Sequence, residues 1–258
     1  MPRSRQDADL QRDRATLDLR LTFETHAHDY GRGEVIAPHA HNRAQLIFAK
    51  SGVMRVTSEG GAWVVPPERA LWMPAGQWHA IRCSGTVAMR TLYLDADRID
   101  AASGDLCRVL AIDPLLREVI VALCERTPLL ARVALLEVLL TELRTLDVLP
   151  LHLPEPSSAP LRRLAQRLEA EPASMRPAAA WAREAGLSHR TLLRRWQAET
   201  GLAFGFWRRQ ARLLAAIERL AEGMPITMVA LDAGYESPSA FTAAFRRSLG
   251  VVPSRYFA

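Results

Sequence analysis

Trp181-Ala182-Arg183-Glu184-Ala185-Gly186-Leu187-Ser188 is answered 48 residues later by Val229-Ala230-Leu231-Asp232-Ala233-Gly234-Tyr235, with Ser237 closing the turn one residue late. Beyond the turn the offset becomes 49: Leu192 matches Phe241, Trp196 matches Phe245 and Gly201 matches Gly250. Self-similarity of this kind marks two copies of one supersecondary unit. Each copy reads as a helix, a glycine turn, a serine N-cap and a second helix. Ala182 and Ala230 are small where two helices must cross, Gly186 and Gly234 permit a positive φ, and Ser188 and Ser237 can accept from free amides of the next helix. Pro238 stands at the favoured first helical position. Either copy alone fits a plain helical hairpin. Two copies in an arginine-rich setting predict paired helix-turn-helix units that bind DNA.

The charge supports this. Residues 160–258 hold 15 arginines, no lysine and 8 acidic residues, a net of +7, whereas residues 1–159 hold 18 basic and 20 acidic residues. The formal net charge of +5 therefore belongs to the C-terminal part. Guanidinium forks suit bidentate contact with phosphate and guanine. In the helix after Ser188, Leu192 and Trp196 lie one turn apart and face inward, which leaves Arg190, Arg194 and Gln197 on the outer stripe, with His189 at the start and Leu193 between faces; all five are candidate DNA contacts. Arg190 and Arg194 are the first choices for contact. In the second unit Phe241 and Phe245 face inward, and Ser237, Ser239, Thr242 and Ala243 look out. Those bond weakly, so the first unit is expected to discriminate sequence while Arg246, Arg247 and their helix N-terminus position the protein on phosphates. Between the units, Phe204–Ala221 reads as a helix with Phe206, Trp207, Leu213, Leu214, Ile217 and Leu220 near one stripe and Arg208, Arg209, Arg212 and Arg219 off it. Its length of roughly 27 Å approaches the ~34 Å turn of DNA.

Upstream, residues 150–160 are proline-rich and aperiodic and read as a linker. Residues 106–149 read as helical, with Leu136, Leu139, Leu140, Leu143 and Leu146 at helical spacing; the stripe is a homodimer interface or packs on its own domain. Residues 20–95 show short β-rich runs at 34–37, 44–49, 53–58, 62–65, 70–73, 79–83 and 87–94, the pattern of a sandwich or barrel. The fold class expected is α+β: an N-terminal barrel over 1–105, a helical dimerisation segment over 106–149, the linker, and an all-α DNA-binding domain over 161–258.

The C-terminal part resembles the AraC/XylS transcription regulators. The resemblance runs from Leu161 to Ala258 and rests on Ala182-x-x-Ala185-Gly186-Leu187-Ser188-x-Arg190-Thr191-Leu192, on Gly201, and on Ile226, Ala230, Gly234-Tyr235-x-Ser237-x-Ser239-x-Phe241, Phe245-Arg246 and Gly250-Val251-Val252-Pro253-Ser254-Arg255-Tyr256. Trp181 departs from the family's usual leucine. His39-Ala40-His41, Gln45 and Pro74-Ala75-Gly76-Gln77-Trp78-His79 resemble the two cupin motifs. On a strand, residues two apart share a face, so His39 and His41 can converge with His79 as ligands of a divalent transition metal, or line a metal-free effector pocket. Gln45 stands where enzymatic cupins carry glutamate, which removes the anionic ligand. Gln45, Trp63, Trp72 and Trp78 are assigned to an effector pocket suited to a small planar ligand, with core packing as the alternative for the tryptophans. His26 and His28 are either extra members of the cluster or solvated.

The chain has 258 residues, 49% apolar and 24% charged, ordinary for a globular protein. No stretch is apolar enough for a membrane span, the N-terminus lacks a signal-peptide core, and three scattered cysteines make no disulfide framework. These features predict a cytoplasmic, homodimeric, DNA-binding transcription regulator that is not an enzyme. Its expected partners are double-stranded DNA, a small-molecule or metal effector and RNA polymerase. The competing classes are a metal-dependent cupin enzyme with an accessory DNA-binding module and a purely architectural DNA binder.

Overall fold

The computed structural model describes residues 23–95, 106–125 and 128–256. The N-terminal stretch read for a signal peptide lies outside the described residues. In the remainder, strands β1 (Phe23–Tyr30), β2 (Val35–His39), β3 (Ala44–Ser58), β4 (Gly61–Val65), β5 (Arg69–Met73) and β6 (His79–Leu94) precede a short β7 (Arg108–Ala111). Helices α1 (Pro114–Cys124) and α2 (Leu129–Glu142) follow, then β8 (Val148–Leu149) and β9 (His152–Pro154). The rest is helical: α3 (Ala159–Ala170), α4 (Ala178–Glu184), α5 (His189–Thr200), α6 (Phe204–Ala221), α7 (Ile226–Asp232), α8 (Pro238–Leu249) and α9 (Pro253–Tyr256).

The strands form one antiparallel sheet in the order β1-β6-β3-β5-β7-β8, with β2 on β6, and β4 between β3 and β9. Four of the short runs expected from sequence merge into two long strands, β3 and β6, paired along most of their length. The pairing shifts register between Ala49 and Val53. Gly52 sits there at φ +74°, and a Cβ on it would meet the Thr86 carbonyl oxygen at 2.4 Å. The bulge changes the phase of β3: Ile47 and Ala49 face the inner core before it, Met54 and Val56 after it. Adding one residue to a strand flips every later side chain.

Two apolar cores result. One packs Leu46, Phe48, Trp72 and Leu92 of the sheet against Leu116 and Ile120 of α1 and against α2. The other runs from the barrel interior through Leu151 and Leu153 into the helical domain, to Trp181, Trp196, Trp207, Phe241 and Phe245. No helix among the described residues is long and apolar enough to cross a membrane.

Three expectations are corrected. The proline-rich stretch is not a free linker: β8 pairs with β7 and β9 with β4, while Leu151 and Leu153 are buried. Strand pairing needs backbone amides, and the prolines flank the paired residues or sit at the end of β9. The 106–149 segment is not all helical, because β7 and β8 add strands to the sheet. The leucine stripe is not an open interface: Leu136, Leu139 and Leu143 are buried in the chain's own core, with Leu140 and Leu146 packed against it.

The barrel and the helices are joined by polar contacts as well. Trp207 Nε1 donates to the Pro154 carbonyl at 2.8 Å, and Gln210 donates to the Pro150 carbonyl. Arg55 of β3 pairs with Glu169 of α3 and, at 3.0 Å, with Glu218 of α6; Arg82 of β6 also reaches Glu218.

Candidate DNA interface and histidine centre

The two helical units repeat down to single hydrogen bonds. In the first turn Gly186 N donates to Arg183 O and Leu187 N to Ala182 O; in the second Gly234 N donates to Leu231 O and Tyr235 N to Ala230 O. Gly186 and Gly234 take φ of +69° and +74°. Ser188 Oγ accepts from Thr191 N, and Ser237 Oγ from Ala240 N, each at 3.1 Å. Gly201 and Gly250 end their helices in the left-handed conformation, which costs a residue with a Cβ about 1–2 kcal/mol.

Leu192, Trp196, Phe241 and Phe245 are buried, so each second helix is fixed by its inner face. His189, Arg190, Leu193, Arg194 and Gln197 are all exposed on α5, Arg190, Arg194 and Gln197 as helical phase predicts and Leu193 further out than the position between faces expected of it. On α8, Ser239, Ala243, Arg246 and Arg247 are exposed, whereas Thr242 and the N-cap Ser237 are half-buried. Among the described residues the side chains of Arg190, Arg194 and Arg246 make no ion pair or hydrogen bond within the chain. Other arginines of this half are used internally. Arg208 and Arg212 of α6 donate to the carbonyls of Pro172, Ser174 and Arg176, tying α6 to the loop before α4. Arg176 lies over the Trp181 ring at 4.1 Å, so the unusual tryptophan gains a cation–π partner as well as full burial.

In the barrel, the last residue of β2, His39, pairs with the first residue of β6, His79. His41 lies just past β2, in a loop pinned by Gly76 N donating to its carbonyl at 2.8 Å. Convergence of the three rings is therefore a product of strand pairing and this loop, not of a strand face shared by His39 and His41. The ring centroids of His39 and His41 stand 4.4 and 5.1 Å from that of His79, and one nitrogen from each residue falls within 4.8 Å of the others. His39 Nδ1 faces the Ala37 carbonyl at 2.9 Å and His79 Nδ1 the Gln77 carbonyl at 3.1 Å. Carbonyl oxygens only accept, so these Nδ1 atoms carry a proton, and in the neutral tautomer this selects, Nε2 keeps the lone pair. His79 Nε2 is buried with no partner.

Gln45 is buried beside the rings: its Oε1 lies 2.9 Å from His41 Nε2, and its Nε2 donates to Thr91 Oγ1 at 2.8 Å. Tyr93, the register partner of Gln45, sets its ring edge-on to His41 at 4.9 Å. Sequence reading missed Thr91 and Tyr93. Their period of two with His79 along β6 was a usable signal, but the distance between them hid it. His26 and His28 stay on exposed β1, outside the cluster. The three tryptophans do not share a pocket. Trp72 is in the sheet–α1 core, Trp78 is exposed and donates to Glu59, and Trp63 stacks on His152 elsewhere.

Burial holds the His79 imidazole down at about 4, and the neighbouring His39 and His41 push the same way against the Gln77 carbonyl. The folded protein thus binds this proton more weakly than the unfolded chain does, whose imidazole titrates near 6.5. Stability from neutral His79 is full above about pH 6.5 and lost as the pH falls toward 4. Metal-free protein is expected to lose on the order of 2–3 kcal/mol between about pH 7 and pH 4.5 through this group. Urea unfolding of the protein and of His79→Gln checks it: the variant should show the shallower pH slope, and identical slopes reject the assignment.

The family described as an AraC-like ligand binding domain matches residues 23–144, and the family described as a helix-turn-helix domain matches residues 181–258. The chain is 34% identical over 245 residues to the HTH-type transcriptional regulator NimR of Escherichia coli (strain K12), spanning 92% of this chain and 87% of that protein. It is 37% identical over 107 residues to the HTH-type transcriptional regulator RipA of Corynebacterium diphtheriae, 42% of this chain and 31% of that protein. Among solved structures, ToxT from Vibrio cholerae aligns over 92% of this chain and 98% of its own with 12% identity and a TM-score of 0.39.

Proposed function

The chain belongs to the AraC family of transcription regulators, joining a ligand-binding domain to a helix-turn-helix domain, and from that membership we propose that it reads one DNA sequence under control of an effector held by His39, His41 and His79. One observation carries the DNA half. Arg190, Arg194 and Gln197 face solvent on a helix whose opposite side is locked by Leu192 and Trp196. Guanidiniums without a protein acceptor, on a rigid helix, are ready for base edges. The first unit supplies discrimination and the second, through Arg246 and the start of α8, supplies position.

Replacing Arg190 or Arg194 with alanine is expected to cost roughly 1–3 kcal/mol on DNA selected by the protein from a random duplex pool, with a much smaller loss on unselected DNA. Binding titrations at fixed salt measure both. Equal losses on the two DNAs would reassign that arginine to phosphate, and failure to enrich any sequence would reject the reading.

The effector half rests on the orphaned His79 Nε2 and on proton counting at His41. That ring faces two acceptors, the Arg43 carbonyl at 2.6 Å and Gln45 Oε1, while a neutral imidazole has one proton. A divalent transition metal at the Nε2 atoms resolves both problems, since all three rings then keep Nδ1–H on a backbone carbonyl. A metal-free ligand that donates to His79 Nε2 is the alternative. Calorimetry with zinc, nickel and iron(II) separates them: His39→Ala with His41→Ala is expected to weaken metal binding on the order of 100-fold or more. Unchanged affinity would remove the metal from this site.

We assign the centre no catalytic step, because Gln45 brings no negative charge to it; oxygen consumption with added iron or manganese would reverse that. In its finer form the reading is a cytoplasmic homodimer acting on RNA polymerase. The dimer surface then lies on the barrel or on the outer face of α2 around exposed Val138, away from the leucine stripe.

A further inference from the structure

A cavity of about 740 Å³ opens between the barrel and the first DNA-reading unit, away from the three histidines. Its barrel wall is Trp63 of β4 with Arg108 and Val109 of β7, and its floor includes the β8–β9 stretch. Its other wall is Thr200, Gly201 and Leu202, where recognition helix α5 ends, with Phe206 of α6. The volume is that of a small-molecule site, for which ~300–1,000 Å³ is usual.

Two features give it chemistry. Trp63 and His152 stack with planes 7° apart and centroids 4.4 Å apart, which puts a flat aromatic pair in the cavity lining, although Trp63 itself is buried. Large apolar side chains crowd the rim against the usual preference for burial: Leu106 is 74% exposed, Val148 54% and Phe206 44%. Phe206 was expected inside the α6 stripe, and its outward position is explained by the cavity it borders.

We propose that this cavity binds an apolar ligand with a flat aromatic portion, and that occupancy sets how the barrel holds the end of α5. The coupling follows from the lining. One molecule touches the sheet, the strands that replace a linker, and the Gly201 turn that orients the recognition helix. A ligand binding only the docked arrangement shifts the protein toward it. The site is additional to the histidine centre, and only its effect on DNA rests on the regulator reading.

The probe is N-phenyl-1-naphthylamine, a neutral aromatic dye, titrated by fluorescence into the full-length chain. Saturable binding is expected, together with a rise in Tm. Phe206→Glu with Val148→Glu, both at exposed positions, should weaken the dye roughly tenfold or more by placing charge at an apolar rim, with Tm unchanged in the absence of dye. His39→Ala with His41→Ala should bind dye as the parent does. Dye at saturation should change affinity for selected DNA by fivefold or more, within the roughly 5–150-fold span of coupled sites. No saturable dye binding, undiminished binding by the glutamate variant, or loss confined to the histidine variant would each overturn the site. Binding without any change in DNA affinity would overturn the coupling. Failure to select DNA counts against the regulator reading, while the dye titration alone decides the cavity.

Discussion

Replacing Arg55 with alanine is expected to cost roughly 2–4 kcal/mol, somewhat below the ~3–5 kcal/mol of a buried ion pair broken outright, because Arg82 still reaches Glu218. Arg55 is largely buried between the barrel and the helices and engages both Glu169 and Glu218. Burial alone would lower its pKa, but the two carboxylates outweigh that and raise it. Burial raises the pKa of Glu169 despite Arg55. Without the guanidinium, two carboxylates lie in the crevice, and the cost falls on the junction between domains. Urea unfolding should show one transition for the parent protein, whose inner core is continuous across the junction, and a weaker or split transition for the variant. Arg55→Met with Glu169→Leu and Glu218→Leu should cost less than Arg55→Ala, since removing all the charges removes the desolvation penalty with them. If the single substitution proves the milder of the two, the network is not what holds the domains.

Leu139→Ala is expected to destabilise the protein by about 2–5 kcal/mol and to leave its oligomeric state unchanged. Leu139 is completely buried against the sheet and α1, together with Leu136 and Leu143. Removing its methyls opens a cavity inside one chain. Thermal unfolding and sedimentation read the two quantities separately: a folded, stable monomer produced from a dimeric parent would return the stripe to the dimer interface.

Much of the DNA-binding half was legible. The repeat, the serine caps, the glycine turns, the inward Leu192, Trp196, Phe241 and Phe245 and the outward arginines all follow from spacing within a few residues. Less of the barrel was. His39, His41 and His79 were found by their motifs, but the reason they meet is the β2–β6 pairing and the loop carrying His41. Trp63, Trp72 and Trp78 were grouped by type, and the sheet scatters them to three environments. His152 was read as part of a linker and proves to stack on Trp63.

By itself, then, the sequence determined the local rules: where helices begin and end, which φ each turn needs, and which face of α5 and α8 is apolar. These are set by contacts between residues one helical turn apart, so no distant partner is required. Only the tertiary structure decided what each apolar face meets. A leucine stripe states that it must be buried but not against which surface, and backbone amides of a proline-rich stretch pair with whatever sheet edge lies beside them. The change of phase at Gly52, the closing of β4 by β9, the Arg55 network and the cavity at Gly201 all depend on such nonlocal partners. They place the effector domain against the end of the recognition helix.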